Sequence, residues 1–245
     1  MRRTTIIGLL SLALLPVATP AQAQSKLRLY ANGSYAPSSV SFSETLKFTE
    51  FAEEGSLEAQ LKVKSGFGGD AGLDYYFSKN LGVRLGISLA SRDASGSYTA
   101  DLPHPLYLNQ PRRVSGEVTG LSYKETAPYL DVVYRGSSGS LDVLLFGGAS
   151  LIKVEAELLQ RVQYTQTYPY DTVTVTSTPA VARSDSPFGF NVGGGLDYRF
   201  SHSVGLGVQA GYSRATAKLV PAEGSSAIEI KAGGFQVAAG LRVFF

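Results

Sequence analysis

The 245-residue chain has no cysteine, no tryptophan, one methionine and two histidines. Without cysteine there is no disulfide framework, thiolate metal site, cysteine nucleophile or lipid-modified N-terminal cysteine. Lys plus Arg number 22 against 20 Asp plus Glu, and Arg2 and Arg3 lie in a leader, so the basic surplus that a nucleic-acid binder needs is missing. Charged residues are only 17% of the chain. They stand beside 27 Gly, 14 Tyr and 12 Phe, a composition unlike that of a disordered segment. Beyond the leader no run of roughly 18 apolar residues occurs, which excludes a helical membrane span. Length alone allows one domain or two small ones.

The leader reads as an address. Arg2 and Arg3 give a basic start, Ile6 to Ala18 is mostly apolar, and Ala21-Gln22-Ala23 is a small-x-small cleavage site. The apolar stretch contains Ser11 and Pro16 and falls short of the roughly 20 residues of a bilayer-spanning helix. Residues 1–23 are therefore expected to be a secretory signal peptide, leaving 24–245 as the mature domain.

The mature chain alternates. Phe188, Phe190, Val192, Leu196, Tyr198 and Phe200 lie on one parity, and Gly189, Asn191, Gly193, Gly195, Asp197 and Arg199 on the other. Period two is the mark of a strand. The same split separates Phe67, Leu73, Tyr75 and Phe77 from Gly68, Asp70, Gly72 and Asp74, and Leu81 to Leu89 from Gly82, Arg84, Gly86 and Ser88. Further strands run from Leu27 to Tyr35, Val204 to Tyr212 and Phe235 to Phe245. Two more, about Glu125 to Tyr134 and Leu141 to Val154, are less clean. The latter is apolar on both parities, and its facing is left open. Residues Gly66 to Gly82 echo Gly189 to Gly205, both with Gly-Leu-Asp-Tyr, the sign of a repeated hairpin.

Eight strands are joined alternately by short gaps (Ser78 to Asn80, Gly136 to Ser140, Ser201 to Ser203) and long ones (about 37–65, 91–124, 155–187 and 214–227). This predicts an all-β fold, an eight-stranded antiparallel up-and-down transmembrane β-barrel with both termini periplasmic. A soluble barrel would carry many Lys and Glu on its polar parity. Here that parity holds Gly, Ser, Asn, Gln and isolated Asp or Arg, which suits a narrow lumen. Phe67 to Phe77 and Phe190 to Phe200 each span ten residues, roughly 25 Å at about 40° tilt, the height of a lipid-facing band between aromatic girdles.

The signal peptide, the Gly-Leu-Asp-Tyr-x-Phe-Ser strand end at Gly72 and Gly195, and the terminal Phe245 resemble small bacterial outer-membrane barrels of the outer membrane protein A, X and W kind. The resemblance covers Lys26 to Phe245 and rests on patterns. It implies that the barrel assembly machinery reads Phe245, and places the chain in the bacterial outer membrane with the membrane lipids as partners. No peptidoglycan-binding domain follows Phe245, so it extends to the barrel alone. Such families share architecture more than activity.

The lumen is expected to hold Arg28, Arg84, Arg199 and Arg242 with Asp70, Asp74, Asp131, Asp142 and Asp197. Pairing Phe77 with Leu81 across the short turn sets Asp74 opposite Arg84, a cross-strand ion pair. Such a network is either a structural plug or a gate on a narrow ion path. His104, flanked by Pro103 and Pro105, could join Asp101 and a loop Ser as a hydrolytic site; a solvated loop histidine is the plainer reading. Gly66 to Asp70 lacks the helix that a dinucleotide loop needs, and Gly136 to Ser140 is a turn. No metal or cofactor is expected. The first long loop is acidic, with Glu44, Glu50, Glu53, Glu54 and Glu58, and the third is rich in Tyr and Thr, including Tyr164, Tyr168 and Tyr170, either extending strands or contacting a surface ligand. The expected function is a non-enzymatic barrel serving envelope integrity and surface contact through its outer loops. The alternative is a narrow pore or small-molecule conduit.

Overall fold

The computed structural model describes residues 25–37, 39–221 and 227–245. The expected signal peptide, residues 1–23, lies outside the described residues. The first seven strands are β1 (Leu27–Ala36), β2 (Val40–Glu50), β3 (Glu53–Val63), β4 (Gly66–Tyr76), β5 (Leu81–Leu102), β6 (Arg112–Ser138) and β7 (Leu141–Leu151). They are followed by β8 (Lys153–Leu159), β9 (Gln163–Gln166), β10 (Val173–Ser177), β11 (Ala180–Asp185), β12 (Phe188–Arg199), β13 (Val204–Leu219) and β14 (Ile228–Phe244).

Eight of these close a ring. Each of β1, β4, β5, β6, β7, β12 and β13 pairs antiparallel with the next, β13 pairs with β14, and β14 returns to β1. The ring strands are the eight expected from alternation. A closed ring leaves no unpaired edge, which a hydrocarbon environment requires. One end carries the termini and the short turns. The second turn is tighter than expected: Ser138 pairs with Leu141, and Gly139 at φ 59° supplies the left-handed residue of the two-residue connection.

Side chains of one parity point out. Leu85, Leu89, Leu130, Val132, Leu145, Val192, Leu206 and Leu241 are exposed along the wall. Tyr75, Phe77, Tyr134, Tyr198, Phe200 and Phe245 ring it at the turn end, and Tyr35, Phe67, Phe188, Phe190 and Phe235 at the other. Tyr35 and Phe67 oppose each other in the ladder with ring centroids 5.1 Å apart. The strand with undecided facing resolves here: Asp142, Leu144, Phe146, Ser150 and Ile152 face inward, while Leu141, Val143, Leu145 and Leu151 face out. Its inward Leu144 and Phe146 pack with Tyr76 and Val133, so apolar residues on both parities serve two different environments.

The long connection expected at 91–124 is mostly strand, and so is that at 155–187, in line with the strand-extension reading of the Tyr- and Thr-rich third loop. β5 and β6 continue as a pair to Leu102 and Arg112, β2 and β3 form a hairpin added to β5, β8 joins β6 and β11, and β9 with β10 forms a small separate sheet. Beyond the apolar band the two faces exchange polarity without the parity changing. On β5 the outward row passes from Ile87 and Leu89 to Ser91 and Asp93, while the inward row passes from Arg84 and Ser88 to Ala94, Tyr98, Ala100 and Leu102. β13 does the same, with Thr216 and Lys218 outside and Ala215, Ala217 and Leu219 inside. On β6 Tyr123 and Leu121 make the same exchange, and one extra residue follows within the cap: Val118 and Leu121 both point inward, and a bulge at Gly120, φ 75°, absorbs the odd step. The result is an apolar cap core including Phe42, Leu57, Leu61, Val154, Leu158 and Ile230, sealed from water.

Candidate functional site

At the height of the apolar band the lumen is crossed by a network of charges. Register places Arg84 across from Asp74 on one side and Asp131 on the other. Arg84 donates from Nε to Asp74 Oδ1 at 2.8 Å and from Nη2 to Oδ2 at 3.2 Å, the pair expected from the turn. Arg28 lies between Asp74 and Asp197 and pairs with both. Arg242 Nε meets Asp197 Oδ1 at 2.8 Å, and its Nη1 donates to Asn32 Oδ1 at 2.5 Å. Asn32 Nδ2 passes the chain on to Asp70 Oδ1 at 2.6 Å, where Gln209 Nε2 at 2.8 Å and the Tyr129 hydroxyl complete the carboxylate. One connected network thus holds six of the nine expected residues: Arg28, Asp70, Asp74, Arg84, Asp197 and Arg242.

The other three stand apart. Arg199 binds Asp142 through Nε at 3.0 Å and Nη2 at 2.5 Å. Asp131 takes a 2.7 Å bond from the neutral Asn191 Nδ2 in place of an ion pair. That contact crosses over Gly148, where a Cβ would stand 2.7 Å from Asp131 Oδ1. Sequence reasoning missed Arg135, one residue past the strand boundary it assigned but on the same inward parity as Asp131. Its guanidinium sits 3.8 Å over the Tyr76 ring. It also missed the neutral groups that join the charges: Tyr30, Asn32, Tyr129 and Gln209. Parity alone marks them as inward, but nothing local says that they touch. Arg84 is covered by Phe146 at 4.0 Å and Arg199 by Phe244 at 4.4 Å, which fills the space around the guanidinium groups with ring faces.

Between this layer and the apolar cap a small chamber of about 60 Å³ is lined by Asp70, Ser88, Arg92, Tyr129, Ser150 and Asn191 among others. It has room for a few waters only. Arg92 and Glu125 form an ion pair at 2.8 Å above it.

The cap is tied across its loops. Arg112 donates to Gln166 Oε1 at 2.5 Å, Tyr170 O at 3.0 Å and Pro103 O at 2.6 Å, while the Tyr164 hydroxyl donates to Glu50 at 2.8 Å. The expected solvated histidine is instead buried: His104 is 5% exposed, and its Nδ1 accepts the backbone N–H groups of Leu106 at 3.1 Å and Tyr107 at 3.2 Å. Its Nε2 faces Asp171 at 3.6 Å, and Asp101 is taken by Arg113 at 2.8 and 2.9 Å. His104 Nδ1 is thus occupied in organising the loop, while Nε2 is buried without a hydrogen-bond partner among the described residues. The acidic loop also has an inward member. Glu44 is 1% exposed, and the N–H of Leu159 donates to its Oε2 at 3.2 Å while Oε1 has no partner among the described residues. Burial in the apolar cap pushes its carboxyl up to about 7, against the opposing pull of the Leu159 N–H.

No curated protein sequence is significantly similar to the chain. Its structure is similar to that of the outer membrane protein OprG from Pseudomonas aeruginosa, with 12% identity, coverage of 91% of this chain and 96% of that one, and a TM-score of 0.55. It also matches Neisserial surface protein A at 11% identity, covering 91% and 100%, with a TM-score of 0.45. The outer membrane protease OmpT from Escherichia coli matches at 12% identity, covering 93% and 100%, with a TM-score of 0.42. The family model of the outer membrane protein β-barrel domain matches residues 7–242, nearly the whole of a chain whose eight ring strands carry an apolar band outside and charges within, and the chain belongs to that family.

Proposed function

We propose that this protein is a non-enzymatic, closed outer-membrane barrel that contributes to envelope integrity and presents its loop cap for contact at the cell surface. In this reading residues 1–23 are removed, both termini and the short turns lie in the periplasm, and the cap faces outward. The lumen charges act as a plug. Phe245, exposed beside the strand β14 that closes against β1, is the residue the assembly machinery reads before the seam forms. The observation that carries the reading is the double filling of the lumen: a connected ion network at membrane height and a sealed apolar core above it, with about 60 Å³ left between them. A buried pair that opened would strand a charge at high cost, which favours plug over gate. The commitment of His104 Nδ1 to two backbone N–H groups, and of Asp101 to Arg113, supports the absence of a His–Asp hydrolytic site at the loops.

The test has two arms. The mature chain is refolded into planar bilayers, as wild type and as Asp74→Ala, and single-channel current is recorded. Both are expected to be silent; stable openings would move the protein to the pore reading. In cells, loss of the chain is expected to raise detergent sensitivity and reduce attachment to surfaces, with the lipid profile unchanged. Unaltered envelope and attachment would overturn the proposal.

A further inference from the structure

The end of the cap is unlike the rest of its water-facing surface. Phe51, Leu106, Tyr107, Leu108 and Tyr168 are exposed there by 42%, 55%, 53%, 68% and 79%. They come from three loops that are distant in sequence. Hydrogen bonds hold those loops side by side: Asn109 N–H to Glu53 at 2.5 Å, Tyr164 hydroxyl to Glu50 at 2.8 Å, and Arg112 to Gln166 and Tyr170. The five side chains therefore form one assembled feature.

Its backbone is unusual as well. Phe51 and Ala52 make the β2–β3 turn at φ 51° and 62°, where Asn-Gly would be the unstrained choice, and Asn109 and Tyr170 sit at φ 58° and 74°. A large apolar residue held in the left-handed region at a water-exposed turn costs free energy that a glycine would save, and such outliers gather where function selects for them.

The charges nearby are of both signs and offer no basic surplus, with Glu50 and Glu53 beside Phe51 bonded to the neutral Tyr164 hydroxyl and Asn109 N–H. Lys47 pairs with Glu54 at 2.7 Å, Arg113 with Asp101 at 2.8 Å, and His104 faces Asp171. That argues against a polyanion or a strongly charged partner. At roughly 150–250 Å² per large side chain, the exposed fractions amount to roughly 600 Å² of apolar surface, short of the roughly 800 Å² per partner of a stable protein interface. It is large enough to mark a site of interaction. Separate Phe, Leu and Tyr side chains on loop tips suit the lipid–water interface, which takes apolar bodies and phenol hydroxyls without needing a complementary shape. Leu102 stands thirteen residues along β5 from Leu89, roughly 30 Å beyond the apolar band at about 40° tilt. The protein's own bilayer is out of reach.

We infer that the cap tip docks on an apposed lipid bilayer, inserting Phe51, Leu106, Tyr107, Leu108 and Tyr168 into the interface of an electrically neutral membrane. This rests on the proposed outward orientation of the cap and deepens the surface-contact reading.

The chain has no tryptophan, so a single Leu108→Trp substitution is a background-free reporter. The full mature barrel carrying it is held in lipid nanodiscs and mixed with phosphatidylcholine vesicles. Alone, its emission is expected to be water-like; with vesicles it shifts to the blue, and the nanodiscs float with them. Adding Phe51→Ser and Tyr168→Ser is expected to weaken co-flotation at least tenfold while the barrel keeps its folded gel mobility. No shift and no co-flotation from a folded barrel would overturn the inference. Nanodiscs that associate with one another without vesicles would overturn it in favour of a second copy. If cells lacking the chain attach poorly and yet vesicles do not bind, surface contact stands and the lipid partner falls.

Discussion

Asp74 is the residue whose removal tests the plug most directly. Its carboxylate takes two bonds from Arg84, at 2.8 and 3.2 Å, one from the Tyr76 hydroxyl at 3.2 Å, and pairs with Arg28. In an Asp74→Asn variant the shape is kept and the charge lost. Arg28 retains Asp197, but Arg84, 1% exposed, has no other ion pair among the described residues. Breaking a buried pair by removing one partner costs about 3–5 kcal/mol because the remaining charge is uncompensated. Removing both charges, with Arg84→Met added, is expected to recover most of that loss, leaving a coupling of about 2–3 kcal/mol between the two sites. The assay is urea unfolding of the barrel in lipid vesicles, followed by far-ultraviolet circular dichroism and by gel mobility without heating. A single-variant cost below about 1 kcal/mol, or a double variant no better than Asp74→Asn alone, would refute the view that these charges are a mutually dependent buried network.

Three further outcomes are expected. Glu44 has a carboxyl held near 7, so its protonated form is the favoured one: the β2–β3 hairpin is most stable in acid and loses up to about 3 kcal/mol as pH rises from about 4.5 to about 7, with no further loss above. Limited proteolysis across that range should show it, and Glu44→Gln should flatten the profile; equal protection of the wild-type hairpin at both ends would contradict it. A methyl group at Gly148 would meet the Leu130 carbonyl and the Asp131 Cα at 2.6 Å, so Gly148→Ala is expected to destabilise the barrel by about 1–3 kcal/mol in the same urea assay. Phe245→Ala is expected to lower the amount of protein reaching the outer membrane several-fold while leaving refolding in detergent intact; undiminished insertion in cells would remove Phe245 as the assembly signal.

How far these features could be read from sequence depended on the range over which each is determined. The Asp74–Arg84 pair follows from one short turn, because a tight connection sets the register and strict alternation carries it inward. The joining of Arg28 to Asp197, or of Arg242 to Asn32, depends on closure of the whole ring, which no single hairpin encodes. The strand from Leu141 defeated alternation because Leu144 and Phe146 fill the lumen beside Arg84 while Val143 and Leu145 occupy the outer parity, so both faces are apolar for different reasons. Arg135 was lost to a boundary set one residue early. His104 between two prolines resembles a free loop residue until Leu106 and Tyr107 turn back and donate to it.

The largest departure, strands where loops were expected, has one physical origin. Within a bilayer the outer face of a barrel must be apolar, so polar residues survive only in the lumen. Past the bilayer water lies outside, and the same strand must turn its polar residues out and its apolar ones in, as a soluble barrel does. Read with one assignment of faces, Ser91 to Lys124 breaks the pattern. Read with the faces exchanged after Leu89 and Arg92, the alternation continues through Ala94, Tyr98, Ala100 and Leu102. The same exchange occurs between Leu151 and Lys153 outside and Ser150 and Ile152 inside, and between Phe235 and Lys231 outside and Gln236 and Ala232 inside. The residue at which apolar side chains change faces therefore marks where the membrane ends on each strand that continues into the cap. Moving that point, for instance with Ser91→Leu and Asp93→Leu on the outer face of β5, is expected to draw this part of the wall into the bilayer. A spin label at Thr99, on the outer face, would then report a shallower position relative to the lipid headgroups than in the unaltered barrel, and an unchanged depth would show that the boundary is set elsewhere.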